Sequence, residues 1–233
     1  MASLTTSNLH DLKRPTAPDS VRKTPEHEAI YHQIRDLILF GVLVPGQPVT
    51  IDGMRAMISA GVTPVREAIR RLTAEGALEA GGNRRIRVPE ITRATLEQLG
   101  FARLAIEPHL TEIAAQRNIP DSHITALMDS DRLINLAIDA GDINAYLEHN
   151  YRFHFGIYDL ADAPVLTKIA ASLWLQMGPS LRIVCGRFGT ANLPDKHCEA
   201  LSELRAGHPE RAARAISEDI KQGLDQVRQT LGN

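Results

Sequence analysis

The stretch Thr63–Gly76, TPVREAIRRLTAEG, decides the fold, because it predicts a short helix whose two ends are both marked in the sequence. Thr63 can accept a hydrogen bond from an unpaired amide as the N-cap, and Pro64 suits the first helical position. Gly76 is typical of a helix end. The apolar residues recur at helical spacing and are expected to face inward: Val65, Ile69 and Leu72.

The remaining surface of this helix is basic near the helix start, because it carries Arg66, Arg70 and Arg71 together with Glu67. A surface of this kind suits contact with a phosphate backbone. The position of these side chains on one helix matters more than the total charge, which is only −2 for the whole chain.

The flanking segments place this helix in a larger motif. Upstream, Ile51–Ser59 predicts another short helix, and downstream Ala77–Glu79 and Ile86–Val88 predict two strands around the turn-forming Gly81-Gly82-Asn83. A helix, a turn, a second helix and a basic hairpin, in that order, indicate a winged helix-turn-helix. We therefore predict DNA contacts from the helix and the hairpin, made by Thr63, Arg66, Arg70, Arg84, Arg85 and Arg87.

From Ile34 to Val88 the chain resembles the DNA-binding domain of the GntR family of bacterial transcription regulators. The resemblance is carried by IRDLILFGVLVPGQPV, TPVREAIRRLTAEGAL and NRRIRV, in the order and spacing of the family. One landmark departs: Gly61 and Val62 stand where the family usually has a Ser/Thr-Arg pair. Val62 has no hydrogen-bonding side chain, so we expect the operator to tolerate any base at that step or to prefer a thymine, whose methyl group Val62 can contact.

Length and composition bound the protein class. With 233 residues and 43% hydrophobic content the chain suits two modest domains. No stretch approaches the roughly 20 apolar residues of a membrane span, and the N-terminus lacks the apolar core of a signal peptide. We expect a cytoplasmic protein with no membrane partner.

The pattern predicts a mainly α protein, a winged helix-turn-helix followed by an all-helical bundle. Residues 1–24 are polar and are expected to form a mobile tail, residues 25–90 the DNA-binding domain and residues 91–94 a linker. Long helical periodicities fill residues 95–233, with about six helices around one core.

Several polar groups fall on inward faces of the predicted bundle. Asn150 and His154 share one helical face at i and i+4, and His197 and Asp219 point inward from two other helices. Burying such groups is costly unless each finds a partner. They can form a hydrogen-bonded network or hold a divalent metal, since imidazole and carboxylate are typical ligands. Spacing alone favours the network.

Residues 95–230 resemble the all-helical effector domain, called FCD, of the FadR-type branch of the GntR family, and this resemblance implies a metal. In NYRFH, Asn150 takes the place of the family's Asp and His154 that of its His. His197 matches the next His, and Asp219 falls where the last His is expected. The resemblance implies a divalent ion at these four residues, zinc first, with nickel or manganese as alternatives.

The resemblance also covers a pair on an earlier helix. Arg103 and Glu107 match the family's Arg-x-x-x-Glu. Their spacing fits an i,i+4 salt bridge, and the resemblance implies that the Arg103 guanidinium grips the carboxylate of an effector.

The resulting hypothesis is a ligand-responsive transcription regulator, a repressor and not an enzyme, that binds a near-palindromic operator as a homodimer. Its effector would be a small organic acid. Two alternatives stay open: a helical-bundle metalloenzyme, which leaves the winged helix unexplained, and an architectural DNA-binding protein, which leaves the inward polar groups unexplained.

Overall fold

The computed structural model describes residues 26–82, 85–186 and 194–231, without the side chains of 183–186. The predicted tail at 1–24 and the predicted DNA contact Arg84 lie outside these ranges. The N-terminal unit contains α1 (Glu26–Leu39), β1 (Pro48–Val49), α2 (Ile51–Ile58), α3 (Val62–Ala74), β2 (Glu79–Ala80) and β3 (Ile86–Arg87). The C-terminal unit contains α4 (Arg93–Ala115), α5 (Asp121–Ala140), α6 (Ile143–Leu160), α7 (Pro164–Gly186), α8 (Lys196–Arg205) and α9 (Pro209–Thr230). The mainly α prediction is confirmed.

The predicted inward face of α3 is confirmed, but its N-terminus was predicted wrongly. Val65, Ile69 and Leu72 are buried. The helix begins at Val62, Gly61 is the N-cap, and no side chain caps it. Thr63 therefore lies inside the first turn, where its amide is one of the groups that no helical carbonyl pairs with.

The end of α3 is the one predicted. Gly76 has φ +77°, which favours glycine. The amides of Gly76 and Ala77 donate to the carbonyls of Thr73 and Leu72, the pairing that closes a Schellman motif. The amide of Leu78 also donates to Leu72, so the chain is still turning where a strand was predicted from Ala77. The second strand accordingly begins at Glu79.

The wing is a three-stranded antiparallel sheet in the order β1-β3-β2. Arg87 of β3 pairs in register with both Glu79 and Pro48. The strand Pro48–Val49 was not predicted, because two residues are too short to show a periodic pattern.

Arg71 belongs to the packing of α1 against α3 and not to a free basic surface. Its guanidinium lies 2.8 Å from Glu28 and 3.0 Å from Glu75, and it stacks 3.6 Å from the centre of the Tyr31 ring. The Tyr31 hydroxyl donates to Glu75 at 2.7 Å. The predicted outward basic face of α3 is thus reduced to Arg66 and Arg70.

The C-terminal unit is a bundle in which α4 packs along α9, α5 along α6, and α8 against α9. Thr92 begins α4 by accepting a hydrogen bond from the Thr95 amide at 3.1 Å. None of the helices in the described ranges combines the length and apolar character that crossing a bilayer requires.

The two units meet where α6 and α7 contact the end of α1. The Asn144 side chain donates to the Phe40 carbonyl at 2.7 Å, and the Arg182 guanidinium donates to the Gly41 carbonyl. A Cβ atom added at Gly178 would lie 2.9 Å from the Leu39 carbonyl oxygen. The close approach of the units therefore requires glycine at that position.

We expect Gly178→Ala to destabilise the protein by about 1–3 kcal/mol, because the added methyl group meets backbone that cannot rotate away. Gly223→Ala is a matched control: it too lies inside a helix, and the nearest described atom to its added Cβ would be a Leu181 methyl group at 3.9 Å. The control should be neutral or more stable by up to about 1 kcal/mol. Urea unfolding measures both; equal stability of the two variants would contradict the close approach.

Candidate metal centre and DNA-binding surface

Three of the four predicted metal ligands converge in the bundle. His154 from α6, His197 from α8 and Asp219 from α9 place one ligand atom each within 4.8 Å of one another. The Nε2 atom of His154 lies 3.1 Å from one Asp219 oxygen, and the Nε2 atom of His197 lies 3.4 Å from the other. Both nitrogens are buried, and neither has hydrogen-bond geometry to a partner among the residues that the structure describes.

The hydrogen bonds around His154 determine which of its nitrogens carries the proton. The Tyr158 hydroxyl donates its single hydrogen to Glu107 at 2.6 Å, so it can only accept from the His154 Nδ1 atom 3.0 Å away. Burial lowers the pKa of His154 and favours the neutral ring. The network therefore leaves a lone pair on Nε2, directed at the centre.

His197 is oriented in the same way by a carboxylate on α5. Its Nδ1 atom lies 3.2 Å from Asp131, which accepts, so Nε2 is again the nitrogen at the centre. Burial lowers the pKa of His197, but the negative charges of Asp219 and Asp131 outweigh burial and raise it. Without a metal this ring tends to hold a second proton.

A cation between these groups fits the arrangement. Two imidazole nitrogens and a carboxylate are all electron-pair donors, and donors brought this close repel one another unless a proton or a metal lies between them. Burial raises the pKa of Asp219, yet His197 and His154 outweigh it and bring it to about 2, so the carboxylate is ionised. The donor set, two imidazoles and one carboxylate, suits zinc and neighbouring divalent ions.

The other two predicted site residues lie beside this centre. Asn150 is buried, and together with Arg103, His154 and Asp219 it lines a small cavity of about 50 Å³. The Arg103 guanidinium is buried and donates from Nε and Nη2 to Glu107 at 2.6 and 3.1 Å. The predicted i,i+4 salt bridge therefore exists, while Nη1 takes no part in it.

Glu107 joins three helices. Its carboxylate, completely buried, accepts from Arg103 on its own helix, from Tyr158 on α6, and from the Trp174 indole on α7 at 3.0 Å. The Arg103 guanidinium also lies 4.5 Å from the Trp174 ring. The sequence did not reveal Tyr158 or Trp174 as site residues, although Tyr158 follows His154 at the i+4 spacing that marks a shared face.

A larger cavity of about 250 Å³ adjoins the centre. It shares Asp219 with the small cavity and is also lined by His197 and Asp131.

The DNA-binding prediction concerns the N-terminal unit. Arg66 and Arg85 are exposed, and neither forms an ion pair with any residue in the described ranges. Arg70 pairs with Glu67 at 2.9 Å and Arg87 with Glu79 at 2.7 Å, both on the surface. Val62 and Thr63 are also exposed at the start of α3.

Comparison with known proteins finds the same two parts. A model of the bacterial regulatory proteins of the gntR family matches residues 26–88, and a model of the FCD domain matches residues 98–222. The chain is 24% identical over 199 residues to the HTH-type transcriptional regulator McbR of Escherichia coli (strain K12), covering 84% of this chain and 89% of that protein.

Two further comparisons also find transcription regulators or a structure of the same fold. A probable D-xylose utilization operon transcriptional repressor of Paenarthrobacter nicotinovorans is 25% identical, covering 87% of this chain and 90% of that protein. The solved structure of E. coli McbR/YncC has a TM-score of 0.81 at 22% identity, covering 89% of this chain and 99% of that chain. These relatives are regulators, so the metalloenzyme alternative finds no support among them.

We expect Glu107→Gln to destabilise the protein by about 3–5 kcal/mol, because it leaves the buried Arg103 charge without a counter-charge. Glu112→Gln on the same helix is the control, since its carboxylate is partly exposed and its ion pair among the described residues is with His109 at 3.6 Å. This variant should stay within about 0.5 kcal/mol of the parent. Chemical unfolding of both variants checks this. Similar losses of stability in both variants would contradict the stabilising role of the buried Arg103–Glu107 pair.

Proposed function

Since the chain belongs to the GntR family of bacterial regulatory proteins and carries an FCD domain, we propose that this DNA-binding transcription regulator is a metal-centred sensor of a small organic acid. It acts as a repressor that binds a near-palindromic operator as a homodimer. The observation that supports the sensor is the convergence on Asp219 of two buried imidazole nitrogens that have no hydrogen bond within the described part of the chain.

Operator contact is assigned to the start of α3 and to the wing. Arg66 has no competing carboxylate among the described residues, so its charge is available to DNA. Thr63 can add a hydrogen bond, and Val62 an apolar contact with a thymine methyl group. Arg70, Arg85 and Arg87 can contact phosphates. Arg70 and Arg87 must first break their surface ion pairs with Glu67 and Glu79. This costs little, because an exposed ion pair contributes about 0–1 kcal/mol to stability.

A homodimer is supported by apolar side chains left on the surface of the bundle. Phe101 on α4 is 78% exposed, and Val165 and Ile169 on α7 are 72% and 42% exposed. These two helices pack against each other. Large exposed apolar groups mark interaction surfaces, and two recognition helices are needed for a two-fold operator.

The metal would be held by His154, His197 and Asp219, with the Asn150 side chain beside them. Zinc is the first expectation, and nickel or manganese are alternatives. When bound, the ion supplies a positive charge that can take a carboxylate oxygen of the effector. In this proposal Arg103 adds a second contact to the effector through Nη1, because its Nε and Nη2 atoms donate to Glu107.

Binding at the centre would reach DNA through α6 and α7. Helix α6 carries the ligand His154 and also Asn144, which holds the end of α1. A shift of α6 would therefore change the pose of the DNA-binding unit. The coupling is reciprocal: if the effector weakens operator binding, the operator weakens effector binding by the same factor.

We expect Arg66→Ala to weaken operator binding by about 1–3 kcal/mol, because the guanidinium contacts a base or phosphate at the exposed start of α3. Arg211→Ala, an equal loss of charge on the exposed side of α9, is the control and should leave affinity unchanged. Gel-shift titration at fixed salt compares the two. Equal affinities would contradict the docking of α3 on DNA.

We expect protein purified without a histidine tag or chelator to hold one divalent metal per chain, and His154→Ala or His197→Ala to lose it while still binding operator. His123→Ala, an exposed residue on α5, should keep the metal. Because a metal must displace the proton that Asp219 and Asp131 favour on His197, affinity should fall as pH falls below the raised pKa of His197, by up to about tenfold per pH unit.

Elemental analysis measures the metal content of each variant. Competition with a chromophoric chelator at several pH values measures how metal affinity depends on pH. Absence of stoichiometric metal in the parent protein, or loss of metal in His123→Ala as well, would count against the site.

A further inference from the structure

A groove of about 660 Å³ lies on the surface of the bundle between α5 and α8. Its floor contains the buried side chains of Ile124 and Leu201, and two large apolar side chains stand exposed along α5: Met128 at 50% and Leu136 at 52%. The main packing partner of α5 is α6 and that of α8 is α9, so the face between α5 and α8 stays open. Exposed apolar groups along a groove mark an interaction surface.

This groove is separate from the apolar surface assigned above to the homodimer. That surface belongs to α4 and α7, whereas every residue that lines the groove in the described ranges comes from α5, from α8 or from the residue directly after α8. None of these lining residues is a predicted metal ligand. The groove is therefore available to a further partner while α4 and α7 hold the homodimer.

Two opposite charges lie on the groove side of α5, at positions i and i+7. Arg132 and Asp139 are both exposed and both line the groove. Two helical turns place their backbones about 10 Å apart along the helix. The Arg132 guanidinium lies 3.9 Å from Asp129, beyond hydrogen-bond distance, and Asp139 forms no ion pair within the described part of the chain. Both charges are therefore available to a partner.

A second copy of α5 is complementary to this pattern of charges. If two α5 helices lie antiparallel about a two-fold axis that passes between Asn135 and Leu136, Arg132 of each copy faces Asp139 of the other, because a two-fold contact is reciprocal. The exposed Leu136 side chains then meet beside the axis, and the two Asn135 amides can hydrogen-bond to each other. One helix thus carries both halves of the interface.

We propose that the α5–α8 groove binds a second copy of this chain through antiparallel α5 helices. Added to the homodimer proposed above, this second two-fold contact gives a closed tetramer. A tetramer carries two pairs of DNA-binding units, and binding of one operator raises the effective concentration of the other pair at a nearby operator. The number of subunits rests on the proposed homodimer, whereas the groove contact does not.

Sedimentation velocity on the full chain without DNA tests this with Arg132→Asp, Asp139→Arg and the double variant that carries both substitutions. The parent is expected to be a tetramer. Each single substitution brings like charges together at both ion-pair positions and should weaken association through the groove by about tenfold or more. The double variant is the matched control, because it only reverses the direction of each pair and should associate as the parent does.

A mixture of the two single variants gives the sharpest result. The Arg132→Asp chain presents two carboxylates at these positions and the Asp139→Arg chain presents two guanidiniums, so both ion pairs form again between one chain of each kind. The equimolar mixture should therefore associate as tightly as the parent, although neither variant does so alone. The inference is overturned if association recovers neither in the mixture nor in the double variant, or if both single variants keep the mass of the parent.

Phe101→Ser on α4 separates this inference from the homodimer on which the number of subunits rests. If both interfaces exist, this substitution and each single charge reversal reduce the tetramer to dimers. If the parent is a dimer that the charge reversals dissociate and Phe101→Ser does not, the groove contact holds and the proposed homodimer fails. If only Phe101→Ser dissociates the parent, the homodimer remains and the groove contact is overturned.

Discussion

The rest of the bundle depends on the buried carboxylate of Glu107. A buried charge is costly, and here Arg103, Tyr158 and Trp174 compensate it with donors from α4, α6 and α7 at 2.6 to 3.1 Å. The same bonds fix the direction of the Tyr158 hydroxyl. Burial, then the charge of Glu107, raises the pKa of Tyr158 well above its usual range, so the proton stays in place and His154 must present Nε2 to the centre.

The contacts continue from this carboxylate to the DNA-binding unit. The Trp174 ring lies 5.7 Å from the Tyr151 ring, which lies 5.9 Å from Phe40 at the end of α1. The backbone carbonyls of Phe40 and Gly41, directly after α1, accept hydrogen bonds from Asn144 and Arg182. Helix α6 carries His154 and also contacts the end of α1 through Asn144. Helix α1 in turn packs against α3 through Tyr31 and Arg71.

The sequence could predict what depends on periodicity and on short spacings. The inward phase of α6, α8 and α9 is enough to find His154, His197 and Asp219, and i,i+4 spacing finds the Arg103–Glu107 pair. The partners that orient these groups are different: Asp131 lies 66 residues from His197, and Trp174 lies 67 residues from Glu107. Such pairs arise from helix packing, which no local pattern encodes. Thr63 was predicted wrongly as the N-cap for a related reason. The turn before α3 lets the helix begin at Val62. Pro64 then lies within the first turn, where a proline is tolerated because the amides there have no carbonyl partner in the helix.

The charge of Asp219 explains how His154, His197 and Asp219 can lie together in the protein without a metal. With a pKa of about 2 it is ionised at any ordinary pH, so it always needs a positive neighbour. Without metal the proton on His197 supplies that charge: this stabilisation is complete below the ordinary histidine pKa of 6.5 and is lost as pH rises through the raised pKa of His197. The contribution of Asp219 is present above its ordinary pKa of 3.8 and is lost as pH falls towards 2. A divalent ion at this cluster would take the place of the proton and leave the negative charge of Asp219 where it is, so the three side chains are already arranged for a cation.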